Sequence, residues 1–170
     1  MKNHKNIRKI IIMQKLKILN TRDIKGIKEQ LIKQFNYALE ENYAYLQNEK
    51  DRVFVVNREL AQIDIDKLKI DRLGLYFAEI KPGQIRMSKE GAQLFVHEAR
   101  KNGATLKNVI SLTKVETRAY FAGVDLKKDL GEENRLIILM YEEDVLGCAS
   151  YKEGKILNFL PKTHRGEVIL

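Results

Sequence analysis

The side chains with catalytic or metal-binding chemistry are few and stand apart. His4, His97 and His164 are scattered, with no i, i+4 partner and no cysteine beside them, so they do not make a zinc-type ligand set. Cys148, the single cysteine, follows Gly147 in an apolar stretch and reads as a buried, inert thiol. A phosphate loop of the G-x4-G-K-[ST] kind fails: Gly147 and Gly154 are too far apart, and Ile156 follows Lys155. The acid pairs Glu40–Glu41, Glu132–Glu133 and Glu142–Glu143 fall in polar turns and read as solvated carboxylates rather than acid–base partners. What remains is cationic. In LGCASYKEGKILNFLPKTHR, the residues Lys152, Lys155, Lys162 and Arg165 crowd the end of a hairpin beside Tyr151. Such a sheet edge can neutralise a polyanion, or it can be a plain solvated hairpin.

The whole-chain charge bears on that choice without deciding it. The net charge is +8 over 170 residues, which suits an anionic partner. Residues 1–19 hold six of the 31 basic side chains and none of the 23 acidic ones, so most of the excess belongs to an N-terminal arm. That arm either contacts phosphates or is a frayed tail, and Met13 is an alternative start. A lone cysteine and no apolar run near the ~18 residues of a membrane span place the chain in the cytoplasm, with no membrane partner. No cofactor or metal is called for.

The elements that must position these side chains follow from local pattern. Asn20 or Thr21 caps a helix whose Ile24, Ile27, Leu31 and Phe35 share one face, with Lys25, Lys28 and Lys33 opposite. YAYLQ and RVFVVN flank a polar turn as a hairpin. Ile63, Ile65, Leu68 and Ile70 alternate ahead of a strand over 73–80, and Pro82-Gly83 makes a type II turn into a short strand, IRM. Ser88 caps a second helix that stops near Gly103. NVISL reads as a strand, and TKVE is a capping box in which Thr113 and Glu116 serve each other. That helix ends at Gly123. DLKKDLGEEN reads as loop, RLIILMY as a strand, and the basic hairpin closes the chain, its second strand running to Pro161. The pattern predicts an α+β fold in three parts: a basic arm (1–19), an α/β domain (20–104), and a curled sheet or partial barrel with one helix (105–170).

Two stretches carry a family resemblance. TKVETRAYFAGVDL is similar to the first helix and glycine turn of a PUA domain, a small pseudo-barrel RNA-binding module. RLIILMYEEDVLGCASYKEGKILNFLPKTHR resembles its last strands. The stretch resembles the PUA-like tail of the NOL1/NOP2/Sun RNA cytosine-5 methyltransferases, through Leu146, Gly147, Gly154, Asn158, Pro161 and Arg165; LGLYFAEIKPGQIRMSKEGAQLF resembles the segment before that tail. VFVVNREL followed by LGLYFAEI is more weakly similar to Nip7-like ribosome-biogenesis proteins. Two departures stand out. Where those tails carry lysines, this chain has Ser150 and Leu157, and nothing corresponds to the catalytic methyltransferase domain.

The resemblance implies an α/β pre-PUA domain followed by the pseudo-barrel, and a non-catalytic RNA binder. Its RNA would lie between the helix–glycine turn, with Arg118, Gly123, Lys127 and Lys128, and the last strand, with Tyr151, Lys152, Lys155, Asn158, Lys162 and Arg165. Gly123 is expected to let the backbone approach a phosphate. Tyr151 or Phe159 can stack on a base; Phe159 is assigned to the core and Tyr151 to the surface, and Tyr120 and Phe121 are core residues of the helix. Expected partners are rRNA or tRNA, with ribosome-assembly factors or an RNA methyltransferase beside them. A protein–protein adaptor working through the N-terminal domain, and a small enzyme with an unrecognised site, are the readings from other classes.

Overall fold

The computed structural model describes residues 15–59, 62 and 73–167. Most of the basic arm and the alternating run Ile63–Ile70 lie outside the described residues.

The first half is an antiparallel meander with two helices. Lys17–Ile18 (β1), Tyr43–Gln47 (β2), Arg52–Asn57 (β3), Leu75–Lys81 (β4) and Gln84–Met87 (β5) pair in chain order. Strand β1 is an addition to the sequence reading: the end of the basic arm pairs with β2, Lys17 opposite Gln47 and Ile18 opposite Leu46. Helix α1 (Thr21–Phe35) starts at Asn20, whose Oδ1 accepts from Asp23 N–H at 2.9 Å, and it buries Ile27, Leu31 and Phe35. It stops at Asn36, which takes the left-handed conformation that asparagine tolerates. Gly83 has φ +69°, as a Pro-Gly type II turn needs. Helix α2 (Lys89–Lys101) starts at Ser88, whose hydroxyl accepts from Gly91 N–H at 2.8 Å.

The second half is a curled half-barrel. Val109–Ser111 (β6), Leu126–Lys127 (β7), Arg135–Tyr141 (β8), Asp144–Lys152 (β9) and Lys155–Leu157 (β10) form a sheet in the order β6-β8-β9-β10-β7. Strands β6 and β8 are parallel, which requires a crossover, and helix α3 (Lys114–Phe121) lies within it. The Thr113–Glu116 capping box is present in both directions. At eight residues α3 is short for an isolated helix, so that box and its packing hold it. Strand β7 lies inside the stretch read as loop. It is two residues long and charged, and only pairing with β10 makes it a strand. Strand β10 ends at Leu157 rather than near Pro161, and Lys162–His164 form a 3-10 turn.

Strand β8 is buried on both faces, which accounts for its unbroken apolar run. Ile137 and Leu139 join Tyr120, Leu126, Tyr151, Ile156 and Leu160 in one core. Leu136, Ile138 and Met140, with Cys148, join Phe35, Phe77 and Phe95 in the other. The second core therefore spans position 104. Hydrogen bonds cross it too: Lys107 N–H donates to Phe35 O at 3.1 Å, and Asn108 Nδ2 to Gln34 O at 2.7 Å.

Candidate nucleic-acid interface

The register of the half-barrel lines up three lysines. Lys127 on β7 is opposite Lys155 on β10, and Lys155 is opposite Lys152 on β9. Cross-strand partners share a face, so the three ammonium groups project from one side of three adjacent strands. All three are exposed. Lys152 has Glu153 3.9 Å away, with both side chains solvated, a contact worth little in water. Like charges directly opposed across strands cost stability, and an anion over this face would offset that cost. The next rung on this face is Leu157 opposite Ser150. These are the two positions where the resembled tails carry lysine, so the cationic pair Lys155–Lys152 stands one rung along the same face.

The glycine turn is occupied differently from the sequence expectation. Gly123 follows α3 with φ +87°. A Cβ there would stand 2.6 Å from Arg165 Cδ and 2.8 Å from its Nε, so the space over the glycine is filled by this side chain rather than left open to a phosphate. Arg165 Nε donates to Leu160 O at 3.0 Å, and Gly166 N–H donates to Phe121 O at 2.9 Å. Asn158 is also committed to the fold. Its Nδ2 donates to Tyr120 O at 2.6 Å and Val124 O at 3.1 Å. Its Oδ1 accepts from Leu160 N–H at 2.9 Å, and its own N–H donates to Asp125 at 2.8 Å. Asn158 and Arg165 thus fasten the segment after β10 to the end of α3.

The other expected residues divide in the same way. Lys128 donates to Glu116 at 2.7 Å with both side chains mostly covered, which neutralises it. Burial opposes ionisation of Glu116, but Lys128 and the Thr113 backbone outweigh it and hold the carboxyl below its usual range. Arg118 is exposed on α3, and its charge is felt at Tyr141, at the far end of the β8–β9 hairpin from Lys152. Lys162 is exposed in the 3-10 turn.

The two aromatic assignments reverse. Tyr151 is 1% exposed, packed with Leu126 and Ile156, so it cannot stack on a base. Its hydroxyl accepts from Leu130 N–H at 3.0 Å and donates to Gly131 O at 2.8 Å, while Arg135 covers its ring. Phe159, assigned to the core, is 39% exposed, with the Arg86 guanidinium 5.1 Å from its ring centroid. Tyr120 is buried and Phe121 partly so, as expected. Arg86 was not among the sequence candidates; it lies on β5, and nothing local in IRM connects it to position 159. Cys148 is buried, and burial pushes its thiol up to about 12. Among the described residues, no group of three or more His, Cys, Asp or Glu side chains could hold a metal ion, and no helix is long and apolar enough to cross a membrane.

The domain is a half-barrel with one helix, a glycine turn and a cationic sheet face. Residues 107–165 match the family described as Methyltransferase RsmF PUA domain. The C-terminal region is therefore a PUA-like domain resembling the C-terminal region of the NOL1/NOP2/Sun methyltransferases. The matched segment is less than half of the chain. No curated protein matches the chain.

Proposed function

We propose that this protein binds ribosomal or transfer RNA through the β7-β10-β9 face and serves as a non-catalytic module in ribosome assembly or RNA modification. The observation that carries this reading is the in-register row Lys127–Lys155–Lys152 on a PUA-like domain. Affinity comes from phosphates and falls with salt. Shape and single-stranded elements supply selectivity. Lys127, Lys152 and Lys155 meet the phosphates, with Lys162 and Arg118 as outlying cations. Gly123, Lys128, Tyr151, Asn158 and Arg165 hold the surface in shape. Residues 20–104 support the 105–170 domain as one body with it, a reading favoured by the core they share. Assembly factors or a separate RNA methyltransferase are the expected neighbours on the same RNA.

The test is direct binding of the full chain to a labelled transfer RNA and to ribosomal RNA fragments, with a neutral polymer as control. Saturable binding that high salt releases is expected. No binding to any of these RNAs at low salt would overturn the reading.

A further inference from the structure

A second feature lies one step up the sheet from the lysine row. Between the β4–β5–α2 corner and the half-barrel, at Leu146–Cys148 of β9 and the segment after β10, is a groove of about 420 Å³. Its volume falls within the range of small-ligand sites, about 300–1,000 Å³. Tyr76, Tyr120 and Phe159 line it, with Arg86 and Lys89 as its cations, Glu90 as its acid, and His164 at its side.

Three details fit this groove to a flat ring attached to an anionic chain. Phe159 is the one exposed aromatic side chain among the described residues, and it stands at this groove. Arg86 lies over the Phe159 ring and is itself held by Glu79, which also binds Lys81 at 2.7 Å, so the trio keeps a net positive charge. An aromatic ring backed by a guanidinium is a stacking platform for bases. The third detail is Gly147, at the β8–β9 register shift, with φ +143°. A Cβ at this position would stand 3.6 Å from the Tyr120 hydroxyl and 3.8 Å from Lys89 Cα. Gly147 thus lies in the groove wall beside Tyr120 and Lys89, and its φ suits the bulge.

The groove and the lysine row are on one path. Along β9, Lys152, Ser150 and Cys148 alternate onto the same face, and Cys148 lines the groove. Four residues of strand put the groove about 13 Å from the lysine rung. We infer that the groove takes one unstacked nucleobase of the RNA strand whose phosphates lie on Lys127, Lys155 and Lys152, with Phe159 as the stacking ring. This rests on the RNA-binding reading above and adds to it the part of the nucleic acid recognised: a splayed base, hence a single-stranded segment.

The chain has no tryptophan, so Phe159→Trp gives a single fluorophore at the stacking position. The experiment measures binding of a labelled single-stranded RNA of mixed sequence, and of the same RNA annealed to its complement. Wild type, F159L and F159W are compared, with each variant's melting checked first. F159L is expected to weaken single-strand binding about tenfold, with the salt dependence unchanged because no phosphate contact is lost. Duplex binding is expected to be unaffected. Tryptophan emission of F159W is expected to be quenched by the single strand and not by the duplex. If wild type binds RNA while F159L binds equally well and F159W emission does not change, the base-pocket inference fails and the RNA-binding reading stands. If wild type binds neither RNA, both fail. If F159L melts below the assay temperature, the F159W emission alone decides.

Discussion

The side chain of Arg165 lies in the space that a side chain at Gly123 would fill. This contact, together with Asn158, joins the end of α3 to the segment after β10. A glycine that looks like a place for a phosphate is, in this fold, the seat of an intramolecular arginine. Gly123→Ala puts a Cβ on a φ of +87° and displaces Arg165. The backbone part costs about 1–2 kcal/mol, which for a chain of this size lowers Tm by about 2–8 °C. R165A in the G123A background should add less than R165A alone, since both remove the same contact. A thermal-melt cycle of the four proteins checks it; strict additivity would mean the two residues are uncoupled.

Asn158 separates shape from charge. Asn158→Ala leaves Tyr120 O and Val124 O without the amide that now serves them. We expect a loss of about 1–3 kcal/mol. RNA affinity should fall only as the surface loosens, with the slope of log affinity against log salt unchanged. A flattened slope would mean that the side chain, or a cation it positions, contacts phosphate directly.

Locally encoded features were legible in the sequence. The hairpin Tyr43–Gln47 with Arg52–Asn57, the Asn20 and Ser88 caps and the Thr113–Glu116 box all depend on residues within a few positions of one another. The lysine row was only half legible. Lys152 and Lys155 face each other across a tight turn, but Lys127 joins them through β7, whose two residues become a strand only on meeting β10. Tyr151 alternates with the outward-facing Ser150 and Lys152, so it points to the other face of β9. Its face is set by pairing with Ile156 and Arg135, which turns it inward. Strand alternation stops at Leu157, where β10 ends, and so does not place Phe159, which comes to the surface. Its contact with Arg86 joins the two halves of the chain, and no local spacing encodes that.

Acid should find the Glu116–Lys128 pair. Because the Glu116 carboxyl is held below its usual value in the folded chain, the ionised form contributes stability above the unfolded-state value. That contribution is lost as pH falls through the folded value. Glu116→Gln keeps a capping-box residue at this position but cannot titrate. Melting from pH 7 downward should show wild type losing stability relative to E116Q below about pH 4.5. A difference between the two proteins that stays constant with pH would contradict the assignment.

The thiol of Cys148 offers a cheap check on the core between the halves. Buried, and with its thiol pushed up to about 12, it should resist an aromatic disulfide reagent at pH 8 in the folded protein. It should react at once in denaturant. Fast reaction under native conditions would mean that β9 and α2 part easily.

The Lys127–Lys155–Lys152 row is proposed as the phosphate-binding face. The direct measurement is single-stranded RNA affinity across a salt series for wild type and for Lys127/Lys152/Lys155→Ala. At about 0.7 per lost contact, removing the row should flatten the log–log slope by about two units, while Arg118→Ala, at the far end of the hairpin, changes it by less than one. A triple variant with the wild-type slope would contradict the account and move the RNA elsewhere on the molecule.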